Sequence, residues 1–213
     1  MASRPLFHPP PPTECIVTSA SPRRPELLAQ LAIPFTVLPA NIDEHVWPDE
    51  VPWAYTRRVA YAKAQHIAQQ YPAAVVLGAD SVVVLEQQIL GKPRDIDDAR
   101  QMLTRLSGRV HTVLTAVAVL YHARYFVCLD AVQTLVRFYP LSPAATEQYI
   151  ATGEPMDKAG AYAIQGAAAA FVASWEGCYT NVVGLPLRRA AALLHAAGLH
   201  IPIWPERSAQ TAS

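Results

Sequence analysis

The stretch from Val110 to Tyr139, VHTVLTAVAVLYHARYFVCLDAVQTLVRFY, is crowded with β-branched and aromatic residues and bends once, at Tyr121–Arg124. Such residues suit a pleated, half-buried surface, so the stretch reads as a hairpin of two long strands. A hairpin of that length needs further strands beside it and helices to cover it. The rest of the chain provides both. ECIVT (14–18) and FTVL (35–38) read as short strands, and AAVVLGADSVVVL (73–85) as a strand, a glycine break and more strand. Apolar residues at helical spacing mark helices at Leu27, Leu28 and Leu31, at Val59, Ala60, Ala64 and Ile67 with Lys63 on the same side, and at Ala99, Met102, Leu103 and Leu106. Pro25 fits the first of these only in its first turn. LSPAATEQYIATG (141–153) has Ser142 as N-cap, Pro143 at the first helical position and Gly153 as its stop. LPLRRAAALLHAAG (185–198) closes the chain as a helix. The expected class is α/β, a mixed twisted sheet flanked by helices.

Within 73–85 the aspartate at position 80 is out of place. A lone carboxylate in apolar surroundings costs several kcal/mol unless it is paired. Groups near the carboxyl ends of strands line the ligand crevice of open α/β sheets, so Asp80 suits a divalent metal or the activation of water. The plain alternative is an aspartate capping a bulge. SASPRR, Ser19 to Arg24, lies where a strand hands over to a helix and gathers hydroxyls of Ser19 and Ser21 with the guanidiniums of Arg23 and Arg24, all ligands for phosphate oxygens. Alternatively Ser21 is an ordinary N-cap and the arginines a solvated face. Lys92 sits in the rigid turn GKP. Lys63 lies on an apolar helix flank, either snorkelling or partnering an acid. GEPMDKAGAYAIQG (153–166) combines glycines, which permit close backbone approach, with Asp157, Lys158 and the amide of Gln165, which can address a base edge.

Several classes are disfavoured. The chain has 213 residues, with 17 basic and 17 acidic side chains, so nothing suggests a surface for a nucleic-acid polymer. Cys15, Cys128 and Cys178 form no CxxC pair and read as buried thiols in a reducing compartment. No apolar run reaches the length of a membrane span, and the N-terminus lacks a signal core, which points to the cytoplasm. The histidines show no helical metal spacing, and His111 reads as structural. Trp47 and Trp53 read as core or lid packing rather than a base-stacking platform. Residues 1–12, rich in proline, and 204–213 read as tails around one domain at 13–203. There is no P-loop, GxSxG elbow or HExxH helix.

SASPRRPELL, GADSVVVL, GKPRD, MLTRLSGRVHTVLTAVAV, GEPMDKAGAYAIQG and NVVGLPL follow one another in that order. Together they resemble the Maf family of nucleoside triphosphate pyrophosphatases over roughly Cys15 to Leu199. The resemblance implies a cleft beside a mixed sheet, similar to the inosine-triphosphate pyrophosphatases. It implies hydrolysis of a nucleoside triphosphate to the monophosphate and pyrophosphate with a divalent cation, Mg²⁺ or Mn²⁺, and a homodimer. DKAGAYAIQG places the chain with the dTTP/UTP branch rather than the 7-methyl-GTP branch, which is the alternative. A second alternative is a non-catalytic nucleotide-binding regulator of septum formation. Carried over by motif, Asp80 is the proton acceptor; Arg23, Ser81 and Gln165 bear on substrate choice. Ser19, Ser21, Arg24, Lys63, Lys92 and Lys158 bind substrate, and Glu44 joins Asp80 as a metal ligand. Position 81 is Ser where the branch often has Thr, so the hydroxyl stays and a methyl is lost.

Overall fold

In the computed structural model, Pro12 and residues 14–202 are described. The tail expected at 204–213 and, Pro12 apart, that at 1–12 lie outside them. The chain runs β1 (Cys15–Thr18), α1 (Arg23–Ala29), β2 (Thr36–Val37), α2 (Pro52–Ala68), β3 (Val75–Leu85), β4 (Gln88–Leu90) and α3 (Ile96–Leu106). It continues through β5 (Val110–Tyr121), β6 (Phe126–Phe138), α4 (Pro143–Ala151), β7 (Val172–Glu176), α5 (Tyr179–Val183) and α6 (Leu187–Ala196). The strands form one mixed sheet in the order β2-β1-β3-β5-β6-β7, with β4 also on β3. The long hairpin is β5–β6, in register from Val110↔Arg137 to Tyr121↔Phe126. Parallel pairing is confined to β1 with β2 and β3, the segment where helices α1 and α2 provide the crossovers.

Alternation along the central strands sorts their side chains into two cores. Val76 and Val82 of β3, with Leu114, Ala116, Ala118 and Leu120 of β5, face α2 and meet Tyr55, Val59, Ala60, Ala64 and Ile67. Val75, Leu77, Ala79, Val83 and Leu85, with Val113, Val117 and Val119, face the opposite side. There they pack on residues of α1, α3, α4, α5 and α6.

Gly78 does not break the strand: β3 runs uninterrupted through it. A Cβ at this position would lie 2.4 Å from the carbonyl oxygen of Ala60 and 2.8 Å from the amide nitrogen of Ala64. The glycine lets α2 rest on the sheet backbone to backbone. A second feature unforeseen in the sequence is the tight turn into β4. Glu86 and Gln87 both take left-handed backbone, φ 51° and 67°, the conformation a two-residue hairpin needs and one usually signalled by Asn-Gly.

β1 ends against Gly78, and β4 joins β3 at Val83 on the same edge, β5 occupying the other. Between them, residues 79–82 have no strand partner on that side. The sheet therefore forks there, beside the C-terminal end of β1, and Asp80 and Ser81 sit in the fork.

Candidate active site

Asp80 shares its face of β3 with Gly78, so it points toward α2. Because α2 is seated so closely, Lys63, one turn beyond Ala60, reaches it: Nζ donates to Asp80 Oδ1 at 2.9 Å. The same ammonium lies 2.9 Å from Glu44 Oε2. Asp80 and Lys63 are both buried, while Glu44 faces the opening with a half-exposed side chain. Of the two readings of Lys63, partner of an acid is the one observed. Burial pushes the Asp80 carboxyl above its ordinary value; the charges of Lys63 and Arg24 oppose this, and Glu44 reinforces it. A carboxylate whose proton affinity is raised yet which stays beside cations is suited to accept a proton.

Ser81 points the other way. Arg24 Nη2 donates to its hydroxyl at 3.1 Å, and Ser81 and Thr115 hydroxyls are bonded at 2.8 Å. Thr115 donates to the Asn181 carbonyl at 3.2 Å; with its hydrogen placed there, Ser81 gives its own to Thr115 in preference to the Gly184 carbonyl at the longer distance of 3.4 Å. The chain of donors thus runs Arg24, Ser81, Thr115, Asn181. Arg24 is fixed from two further sides: Nε donates to the Gly184 carbonyl at 2.9 Å, and Nη1 to Ser19 Oγ at 3.4 Å. Burial lowers the Arg24 guanidinium pKa and the Asp80 charge opposes this, so the two residues feel each other although their neighbours differ. Ser19 also accepts from the Ser21 amide at 3.1 Å. Ser21 is not the helix cap; Pro22 occupies that place without a side-chain cap, and Pro25 falls in the first turn.

Other expected residues belong to the loop at 153–166 and the turn at 91–93. Lys158 Nζ pairs with Asp157 and donates to the Glu154 carbonyl at 3.3 Å. The Lys158 bond holds the Asp157 carboxyl below its usual range, and the Arg23 charge contributes, which places Arg23 in electrostatic reach of this loop. The loop is tied to the GKP turn by the Gly160 amide donating to the Gly91 carbonyl at 2.9 Å. Lys92 and Gln165 are exposed at its margin and are not drawn into the Asp80 cluster. Gln165 is carried by a loop that Glu154 braces, accepting from the Tyr149 hydroxyl at 2.9 Å and the Ala167 amide at 3.0 Å.

Of the two packing alternatives for Trp47 and Trp53, core is excluded: they are 50% and 43% exposed, and the Arg58 guanidinium lies 3.9 Å over the Trp47 ring. Cys15 is buried as a plain thiol, but Cys128 and Cys178 are only partly so. His111 is buried, bonds Tyr162 Oη through Nε2 at 2.8 Å and stacks edge-on with Phe138, while its buried Nδ1 has no hydrogen-bond partner among the described residues. Thr115, Asn181 and Gly184 were not singled out in the sequence. NVVGLPL was visible as a motif, but nothing in it announces that its backbone carbonyls hold Arg24 and Thr115.

Among the described residues no group of three or more His, Cys, Asp or Glu gathers into a metal site. Asp80 and Glu44 present two carboxylates bridged by one ammonium. Among the described residues no helix is long and apolar enough to cross a membrane.

The fold is similar to that of a HAM1 protein from Coxiella burnetii, with a TM-score of 0.51 at 14% identity over 86% of this chain and 98% of that one, a likeness of fold alone. It is 49% identical to a dTTP/UTP pyrophosphatase of Symbiobacterium thermophilum over 88% of this chain and 96% of the relative. A dTTP/UTP pyrophosphatase of Anaeromyxobacter sp. is 53% identical over 88% and 91%, and one of Myxococcus xanthus 51% over 89% and 95%. The family model described as Maf-like protein matches residues 14–197. The chain belongs to the Maf-like family.

Proposed function

We propose that the protein is a nucleoside triphosphate pyrophosphatase that hydrolyses dTTP and UTP to the monophosphate and pyrophosphate. The observation that carries the mechanism is the buried Asp80 carboxylate, raised in proton affinity and bonded to Lys63 in the fork of the sheet. Its relatives at about half identity are named for this activity. Asp80 accepts the proton of the water that attacks the α-phosphorus, a contribution worth about 10²–10⁴ in rate. Arg23, Lys63, Lys92 and Lys158 stabilise charge on the phosphates as pyrophosphate leaves, with the hydroxyls of Ser19 and Ser21 beside them. α1 has only seven residues, so side chains rather than a helix dipole supply most of that field.

Substrate choice is assigned to Arg23, Ser81 and Gln165. Ser81 already accepts from Arg24 and donates to Thr115. It therefore acts on the substrate by aiming Arg24, while Gln165, exposed on its loop, is the group free to bond a pyrimidine edge. The donor set suits a divalent cation: Lys63 takes one oxygen of Asp80 and one of Glu44, and Mg²⁺ typically uses one or two carboxylates with substrate phosphates. When bound, Mg²⁺ or Mn²⁺ would neutralise triphosphate charge. The protein is assigned to the cytoplasm and, by family resemblance, to a homodimer.

The test is pyrophosphate release from dTTP, UTP, dCTP, GTP and 7-methyl-GTP with Mg²⁺ or Mn²⁺. Release from dTTP and UTP above the others is expected. Release from none overturns the enzyme assignment, and preference for 7-methyl-GTP overturns the branch.

A further inference from the structure

Glu44 lies in the segment from Pro39 to Glu50, which contains no helix or strand. Such a segment fixes a side chain only if something fixes its backbone. Two residues of α2, one turn apart, do so. Tyr55 Oη donates to the Glu44 carbonyl at 2.8 Å, and Arg58 Nη2 donates to the next carbonyl, that of His45, at 2.8 Å. Arg58 also forks onto Glu50, Nε to Oε1 at 2.6 Å and Nη2 to Oε2 at 2.7 Å. Glu50 Oε2 in turn accepts the Trp47 amide at 3.1 Å, and the guanidinium covers the Trp47 ring. One side chain thus holds the segment at His45, Trp47 and Glu50, immediately after Glu44. The Arg58–Glu50 pair is well shielded, its side chains 20% and 7% exposed, so it is not an ordinary surface ion pair.

We propose that Arg58 is a positioning residue for the reaction at Asp80: its clasp on the segment at 45–50 keeps the Glu44 carboxylate on Lys63. Lys63 is then shared between two acids rather than committed to Asp80 alone. The geometry calls for arginine. Lysine has no fork to match Glu50 while covering an indole and reaching a carbonyl. The proposal rests on the pyrophosphatase assignment, and its test separates the two.

The experiment measures kcat and KM for dTTP, and backbone amide exchange, in the unaltered protein and in Arg58→Ala, Arg58→Lys, Glu50→Gln, Glu44→Gln and the Arg58→Ala/Glu44→Gln double variant. Arg58→Ala is expected to speed exchange over residues 41–50 but not over β3. It should lower kcat by about 10- to 100-fold, the scale of a misplaced group. KM should change by less than about threefold, because uniform substrate binding is untouched. Lysine at 58 should not rescue kcat. In the Glu44→Gln background, removing Arg58 should cost no more than about a further twofold, since both changes act on one element. Glu50→Gln, which is isosteric and keeps Arg58, should reproduce the pattern more weakly, and it decides the matter if Arg58→Ala does not fold. Losses that multiply in the double variant, unchanged kcat with a loosened segment, or an unloosened segment would each overturn the proposal. If the unaltered protein releases no pyrophosphate, the assignment itself falls, while the exchange measurement still reads whether Arg58 holds the segment.

Discussion

On the α2 face of β3, Asp80 is paired with an ammonium beside a second carboxylate; on the opposite face, Ser81 links the Arg24 guanidinium to a hydroxyl relay that ends on backbone carbonyls. The first group is buried, with a side-chain ammonium as its direct partner, and its proton affinity is displaced. The second is half-buried and bonded to Arg24 and Thr115, with the Gly184 carbonyl 3.4 Å from its hydroxyl. Under the proposed function, two consecutive residues would divide the labour: reactive chemistry would depend on charge balance under a helix, and discrimination on how hydroxyls and backbone carbonyls hold an arginine.

The division predicts unequal sensitivity. Asp80→Asn preserves shape and removes the proton acceptor, so kcat should fall by about 10²–10⁴. A variant that kept full turnover of dTTP would erase the difference between the faces. The two sides also carry buried titratable groups of opposite sign. His111, on the Ser81 side, is pulled by burial from 6.5 to about 4, so it is neutral when folded. The unfolded chain binds the proton first, and the stability His111 contributes is present above 6.5 and lost as pH falls through about 4. The loss amounts to roughly 3 kcal/mol, and His111→Phe should flatten this part of a denaturation-versus-pH curve. Asp80 works in reverse: its raised value means a contribution that is lost as pH rises through the folded-state pKa.

Gly78→Ala tests the seating of α2. The new methyl meets the backbone of Ala60 and Ala64, so the helix must lift, costing about 1–3 kcal/mol in urea unfolding. Turnover should fall with it as Lys63 moves from Asp80; a destabilised variant with intact turnover would uncouple packing from chemistry. The smallest effect belongs to Ser81→Thr. The hydroxyl relay survives and a methyl is added, so the dTTP:UTP ratio should move by about 1 kcal/mol or less. A large shift in that ratio would place position 81 against the substrate itself.

Much of this was legible in the sequence, and the gaps have physical causes. Apolar runs and β-branched residues mark the hairpin because burial itself selects them. Asp80 was conspicuous because its surroundings made it expensive. Gly78 was misread because a glycine that admits a helix and one that breaks a strand are written with the same letter; only the position of Ala60 separates them. The turn at Glu86–Gln87 was missed because neither residue is one that favours left-handed backbone. Thr115 was missed because it matters through its register opposite Ser81, a relation between strands rather than along one. Tyr55 and Arg58 were closer to reach: their spacing puts them on one flank of α2, but the sequence does not say which loop that flank meets.

The fork has its own consequence. Along residues 79–82, alternate amides and carbonyls turn away from β5 toward the gap left between β1 and β4. Under the proposed function, a nucleotide lodged there would meet main chain as well as side chains. Exchange of one amino acid for another, proline excepted, leaves those donors and acceptors in place. Any contribution of that edge would consequently be shared by every sequence able to keep the fork open, and substitution scanning would assign it no energy at all.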